Sequence, residues 1–326
     1  MVIDHHMMST NLSPFIRRSD RFVPGGYNEE TGLEEAIATA GKIPELDGLE
    51  FLFPTQFTNH KKIKELMNKT GLKTSCVQVD LFSNQKWKFG SLASFDEVVR
   101  REAIEISQRS MDISAEMGAY RILLWLGQDG YDYLFQVNYK NAWNNLIHSL
   151  KEIANYRSDV QVSIEYKMRE PRTHSYISNM GTVLYAIMEV GLSNLGVVID
   201  TGHSLLAYEN LAEVATLALR RNALHAFHLN DCYRYADDDL VIGTVHTWEF
   251  VELLYWMTRE KFDGWWTLDT YPYRENGIQV IEGSISMFKT FVNLVKKLDD
   301  DKLNPWQNKN DALTAIEYIR DKTFSK

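Results

Sequence analysis

Cysteine is scarce in this 326-residue sequence: Cys76 and Cys232 are the only two, and they stand far apart. Such a pair offers no disulfide framework, so a reducing compartment, the cytoplasm, is the expectation. No run of about 18 apolar residues occurs, which excludes a helical membrane span. The opening residues, MVIDHHMMSTNLSPF, carry Asp4 and lack both a basic n-region and an apolar h-region, so they do not read as a signal peptide. Basic charge is also short, with 35 Lys and Arg against 44 Asp and Glu and a net charge of −9. A nucleic-acid surface needs the opposite balance to neutralise phosphates. Neither a Gly-rich phosphate loop nor an Arg cluster is seen, which turns the expectation toward an unphosphorylated small molecule.

What the sequence does have is apolar bulk, 44% of residues with 12% aromatic, enough for one large core. Short apolar runs alternate with longer amphipathic stretches, the mark of repeated βα units. Eight strands are expected, at 21–26, 49–54, 72–81, 120–126, 160–166, 195–200, 223–229 and 265–269. Between them lie helical patterns such as FDEVVRREAIEISQRSMDISAEMG, where Val98, Ile104, Ile106, Met111 and Ile113 recur near helical spacing and a Gly closes the segment. The fold class read from this rhythm is a (β/α)8 TIM barrel over residues 1–295. Residues 296–326, rich in Lys, Asp and Asn, read as a surface extension or as a contact in a homo-oligomer, a dimer or tetramer.

Ionisable residues gather where the later strands end, the place where barrels of this type carry their chemistry. Glu165 and Lys167 are two apart near the end of the fifth strand and share a face. The sixth ends in V-V-I-D-T-G-H, with Asp200 at its tip and His203 just beyond. The seventh reads F-H-L-N-D, giving His228 and Asn230 on one face, while His225 is expected to face the helices. Asp237 and Asp239 follow in a loop, His246 is an unplaced candidate, and Asp269 ends the eighth strand. A lone acid at a strand end is more often a helix cap, and a D-D-D run more often a solvated loop. Four strand ends in succession argue otherwise, because carboxylates and imidazoles around one mouth repel or lose solvation unless cations lie between them. One divalent metal ion, or two, resolves this. An oxygen-rich set with one or two histidines suits Mn²⁺, Mg²⁺ or Co²⁺. Trp125, ending the fourth strand, is either core packing or an apolar wall for a ligand.

These residues resemble the xylose isomerase-like barrel superfamily, and within it the xylose and L-rhamnose isomerases. E-Y-K-M-R-E-P-R at 165–172 follows the family pattern E-x-K-x-x-E-P-R. D-R-F at 20–22, W-L-G-Q-D-G-Y at 125–131, D-T-G-H at 200–203 and D-D-D-L-V-I-G at 237–243 support it, and W-K-F-G-S-L at 87–92 is similar to the rhamnose isomerase side. The resemblance implies a structural metal on Glu165, Asp200, His228 and Asp269, and a catalytic metal on Asp200, His203, Asp237 and Asp239. Lys167 would polarise a substrate oxygen, His203 would also touch the sugar, and Trp125 would wall it. The sequence departs from xylose isomerases in having Asp200 in place of Glu, His228 as ligand in the rhamnose isomerase manner, no ring-opening histidine in F-L-F-P-T-Q-F at 51–57, and a shortened C-terminal arm.

The activity implied is aldose–ketose isomerisation of an unphosphorylated monosaccharide by a two-metal hydride shift, in which Asp239 orients the water that moves the proton between oxygens. A ketose 3-epimerase would instead use one metal and two carboxylates as acid and base. A third reading, a non-catalytic metal- and sugar-binding barrel, differs in having no turnover.

Overall fold

In the computed structural model, seven of the eight strands lie where the apolar runs place them, and the first does not. The structure describes residues 5–57, 59–170 and 172–324, so Asp4 of the N-terminal segment and Pro171 of the E-Y-K-M-R-E-P-R stretch lie outside it. The strands are β1 (Met8–Thr10), β2 (Gly48–Phe53), β3 (Lys73–Val79), β4 (Arg121–Trp125), β5 (Gln161–Glu165), β6 (Leu195–Asp200), β7 (Leu224–Leu229) and β8 (Trp265–Leu268). They close into a barrel in chain order, every neighbouring pair parallel. The fold is the expected TIM barrel.

The expectation of a strand at 21–26 is overturned. Asp20 accepts hydrogen bonds from the backbone of Phe22 and Val23, each 2.8 Å, and from the Tyr27 hydroxyl at 3.0 Å. That folds the segment into an Asx-type turn that leads into Pro24-Gly25-Gly26. The true first strand is only three residues, yet all three are buried. Ser9 Oγ meets Thr267 Oγ1 at 2.8 Å, and Thr10 Oγ1 donates to the Leu268 carbonyl at 2.8 Å. Polar Ser-Thr in place of an apolar run hid this strand.

The helices between strands are α1 (Leu33–Ala40), α2 (His60–Thr70), α3 (Glu97–Met117), α4 (Tyr139–Tyr156), α5 (Met180–Val190), the short α6 (Thr201–Leu206), α7 (Leu211–Arg220), α8 (Thr247–Arg259) and α9 (Gly277–Val295). Helix α3 shows how local chemistry sets the ends: Asp96 accepts from Val98 N at 2.9 Å, and Gly118, at φ 78°, takes the left-handed turn that stops the helix. Of the large residues expected on its buried face, Ile104 and Met111 are buried and Ile106 and Ile113 pack against the core, but Val98 does not. Val98 is 76% exposed, whereas Ser107, Ser110 and Ser114 are buried, their hydroxyls returned to backbone carbonyls. Small side chains bring the helix close to the sheet. Beyond α9, two further helices, α10 (Asp300–Asn308) and α11 (Ala312–Phe324), lie within residues 296–326, and α11 buries no residue.

Outside the barrel, Trp266 is the hub of an aromatic cluster: it stacks on Phe227 at 4.6 Å and meets Phe262 and Phe288 edge-on at 5.3 and 5.2 Å. It is 1% exposed. Trp266→Ala is expected to cost about 3–5 kcal/mol of stability, read as a lower urea midpoint at unchanged slope. A loss under about 1 kcal/mol would mean that the cluster repacks. Inside the barrel, Cys76, Leu123, Val198 and Ala226 form a small apolar layer.

Candidate metal centre

Two groups of ligand-type atoms meet at the C-terminal mouth of the barrel. One donor atom from each of Glu165, Asp200, His228 and Asp269 lies within 4.8 Å of the others, and so do atoms of Asp200, His203 and Asp237. Asp200 belongs to both. Register explains the first group: Glu165 ends β5, and Asp200 is the partner of His228 across β6 and β7. Asp200 also caps α6, accepting from His203 N at 2.9 Å, so the cap and the ligand readings of this acid hold together.

Asp237 arrives from the loop after β7. That loop is closed by an antiparallel bridge between Asp231 and Leu240, with N–O distances of 3.0 and 2.9 Å. Beneath it, the buried Asp231 carboxylate accepts from Val245 N, His246 N and His246 Nδ1 at 2.8–2.9 Å, and Arg234 Nε donates to His246 Nε2 at 3.0 Å. His246 is therefore a clamp on this loop and not a ligand. Asp239 stands apart from the expected second set. Its backbone takes φ 50°, and its side chain lies near Asp237, Asp269 and Asp200 without joining either group.

The electrostatics show what such a mouth needs. His228 Nδ1 lies 3.1 Å from Glu165 Oε2 and 2.9 Å from Asp269 Oδ2, and His203 Nδ1 lies 3.2 Å from Glu165 Oε1. All three contacts miss hydrogen-bond alignment, and these two nitrogens, with Asp237 Oδ1, are buried atoms without a hydrogen-bond partner. Burial pushes the Asp200 carboxyl up to about 7, with Asp237, Glu165 and Asp269 adding to the rise against the pull of His203. Burial would lower His203, but Asp200 and Asp237 outweigh it and hold it at about 9. A field of this sign favours bound protons or cations. Divalent ions answer the same field, and the bare, buried lone pairs inside both groups fit that answer.

Lys167 carries the opposite charge to its surroundings. Its Nζ is 2.8 Å from Asp237 Oδ2, pairs with Glu170, and sits 5.3 Å from the centre of the Trp125 ring. Burial disfavours its charge, yet Asp237 and Glu170 raise its pKa above the ordinary lysine value. Trp125, held edge-on by Phe82 at 4.5 Å, lines a narrow recess with Glu165, Lys167 and Tyr176. One wall of that recess is braced from behind. Buried Asp129 accepts from Ser91 N at 3.0 Å, Ala93 N at 2.6 Å and the Ser91 hydroxyl, which ties the loop after β4 to the loop after β3.

Of the residues that support the groups, Asn11 and Glu50 escape a sequence reading, while Asn230 is found on the face expected for it. Asn11, just past β1, donates to Asp269 Oδ1, and Asn230 donates to Asp200 Oδ2 at 2.8 Å. Glu50, in the middle of β2, is buried against Arg121 at 3.0 Å and His228 Nε2 at 3.1 Å. An acid inside an otherwise apolar strand was its only signal. His225 is a correction. The ladder slips between Leu224 and Ala226, so the side chain turns inward, its Nδ1 2.9 Å from Ser163 Oγ, instead of facing the helices. Burial, aided by Arg121, pushes it down to about 3. At the start of α2, His60 pairs with Glu116 at 2.9 Å.

A sequence model of the family described as xylose isomerase-like TIM barrel matches residues 35–291. A probable sugar isomerase of Mesorhizobium japonicum is 24% identical over 280 residues, covering 82% of this chain and 64% of that protein. The xylose isomerase of Thermus thermophilus is 29% identical over 191 residues, 56% of this chain and 49% of the relative. The chain thus spans less than two thirds of either protein. Among solved structures, a D-tagatose 3-epimerase-like protein superposes with a TM-score of 0.69 at 18% identity, covering 89% of this chain and 98% of that one. That likeness is one of fold. No helix among the described residues is long and apolar enough to cross a membrane.

Proposed function

We propose, from the premise that the chain belongs to the xylose isomerase-like TIM barrel family, that it interconverts an unphosphorylated aldose and ketose and holds two divalent cations. The observation that carries this reading is the second group, Asp200, His203 and Asp237, beside a charged, buried Lys167. Glu165, Asp200, His228 and Asp269 would hold one ion, and Asp200, His203 and Asp237 the other. Bound there, the ions would supply fixed positive charge that orients sugar hydroxyls and polarises a carbonyl.

The side chains would do the rest. Lys167 presents its ammonium to the oxygen that gains negative charge. Trp125 offers an apolar face to the sugar's C–H side. Asp239, outside both groups, would take and return the proton that passes between the two oxygens, and His203 would border the same space. The carbon-bound hydrogen would move directly from C2 to C1 with its electron pair. Glu165, Asp200 and Asp269 surround His228, and Asp237 is engaged by Lys167 and His203, so no carboxylate of the two groups is left idle as a base.

A ketose 3-epimerase is the second reading, favoured by the completeness of the first group, in which two of the three carboxylates, Glu165 and Asp269, stand at the ends of different strands. Turnover of unphosphorylated aldoses and ketoses with Mn²⁺ in D₂O separates the two. The expected result is ketose whose carbon-bound positions keep the substrate hydrogen, read by NMR. Deuterium at C3 of a ketose product would promote the epimerase, deuterium at C1 would replace the hydride shift by an enediol route, and no turnover across the panel would leave a binding barrel.

A further inference from the structure

We propose that Glu50 is a positioning residue for His228, its carboxylate fixing the imidazole in the tautomer that leaves Nδ1 bare toward Glu165 and Asp269. The inference rests on the metal-binding reading above and adds to it a residue on the far strand β2 that touches no candidate ion.

Four groups surround the Glu50 carboxylate: Arg121 Nη2 at 3.0 Å and Thr267 Oγ1 at 2.9 Å on Oε1, with Gln78 Nε2 at 3.0 Å and His228 Nε2 at 3.1 Å on Oε2. Both side chains of the Glu50–His228 pair are fully buried. An ionised carboxylate only accepts, so the hydrogen on this contact belongs to His228 Nε2. Burial alone would favour a protonated, neutral Glu50. The Arg121 guanidinium at 3.0 Å and the donors Thr267, Gln78 and His228 around both oxygens favour the ionised form instead. In a neutral imidazole with Nε2 protonated, Nδ1 carries the lone pair, and Nδ1 is the nitrogen that meets the carboxylate oxygens of the first group without hydrogen-bond alignment. A carboxylate behind a ligating histidine fixes ring orientation and raises its basicity. The arrangement also accounts for Arg121. A lone carboxylate at this depth would be neutralised by uptake of a proton, and the guanidinium keeps it ionised.

Mn²⁺ affinity, measured by competition with a chelating dye, and the ¹⁵N shifts of His228 in the Mg²⁺-loaded protein test this. Glu50→Gln puts an amide where only an acceptor fits, and its Mn²⁺ dissociation constant is expected to rise roughly 10–100-fold. In the wild-type loaded protein, His228 is expected to show a protonated Nε2 and a coordinated Nδ1. Because the single change strands Arg121, Glu50→Gln/Arg121→Met removes both buried charges. It is expected to regain the thermal midpoint of the metal-free protein while remaining weak toward Mn²⁺, and it carries the test if the single variant does not fold. Affinity that returns with the midpoint, a single variant that binds Mn²⁺ as tightly as wild type, or coordination through Nε2 would overturn the role of Glu50 alone. A wild-type chain that holds no Mn²⁺ would overturn the metal-binding reading and this proposal with it.

Discussion

Lys167→Met is expected to lower kcat by roughly 10²–10³-fold while the dissociation constant for Mn²⁺ does not rise. The argument is one of sign. Lys167 is a cation between Asp237 and Glu170, so it competes with any ion held by Asp237. Removing it makes the mouth more negative and does nothing to loosen a metal. What is lost is a fixed positive charge in a water-poor recess, worth about 3–4 kcal/mol to an oxygen that becomes anionic in the transition state. Asp269→Asn is the control with the opposite pattern, since it removes a charged donor from the first group. Titration calorimetry and steady-state kinetics on the two variants give the comparison. A Lys167→Met protein that loses Mn²⁺ as readily as Asp269→Asn would make the lysine a structural partner of Asp237 and nothing more.

Chelation is expected to abolish turnover and to lower the thermal midpoint, both restored by Mn²⁺. His228 Nδ1, His203 Nδ1 and Asp237 Oδ1 are buried without a hydrogen-bond partner, and cations lying among them would satisfy them. A ligand bound by the native state alone stabilises it by mass action, by about 4 kcal/mol at a thousandfold excess over its dissociation constant. In a chain of this size that is a shift of roughly 2 °C for each kcal/mol. Calorimetric scans with and without a chelator, followed by Mn²⁺ add-back, read both effects. Undiminished turnover after exhaustive dialysis against chelator would sink the metal-dependent reading.

The barrel was legible because its later strands are short apolar runs that end in acids, and a strand buried on both faces needs little else. The three-residue β1 was not, since Ser9 and Thr10 are buried through cross-strand hydrogen bonds that no hydropathy pattern reveals. Misplacing it carried Asn11 out of view, although its amide holds Asp269. Period-two reasoning placed Glu165 with Lys167 and His228 with Asn230 correctly, and failed at His225, where a slipped ladder reverses the alternation. Motif spacing brought Asp237 to the mouth. It could not say that Asp239, two residues on, would turn at positive φ and stand outside the group. Glu50 and Arg121 lie 71 positions apart, and only the closed barrel makes them neighbours.

The carboxylate of Asp129 has a bearing on how this protein could be re-engineered. It spends its acceptor capacity on Ser91 and Ala93, joining the segment after β3 to the one after β4, and it lies against the turn at Gly90. A donor loop grafted at one of these positions alone would bring either a buried acid without its three donors or three donors without their acid. Each mismatch costs more than most single contacts are worth. The unit expected to be transplantable between related barrels is therefore the pair of loops, and libraries that vary both together should yield more folded members than libraries that vary either one.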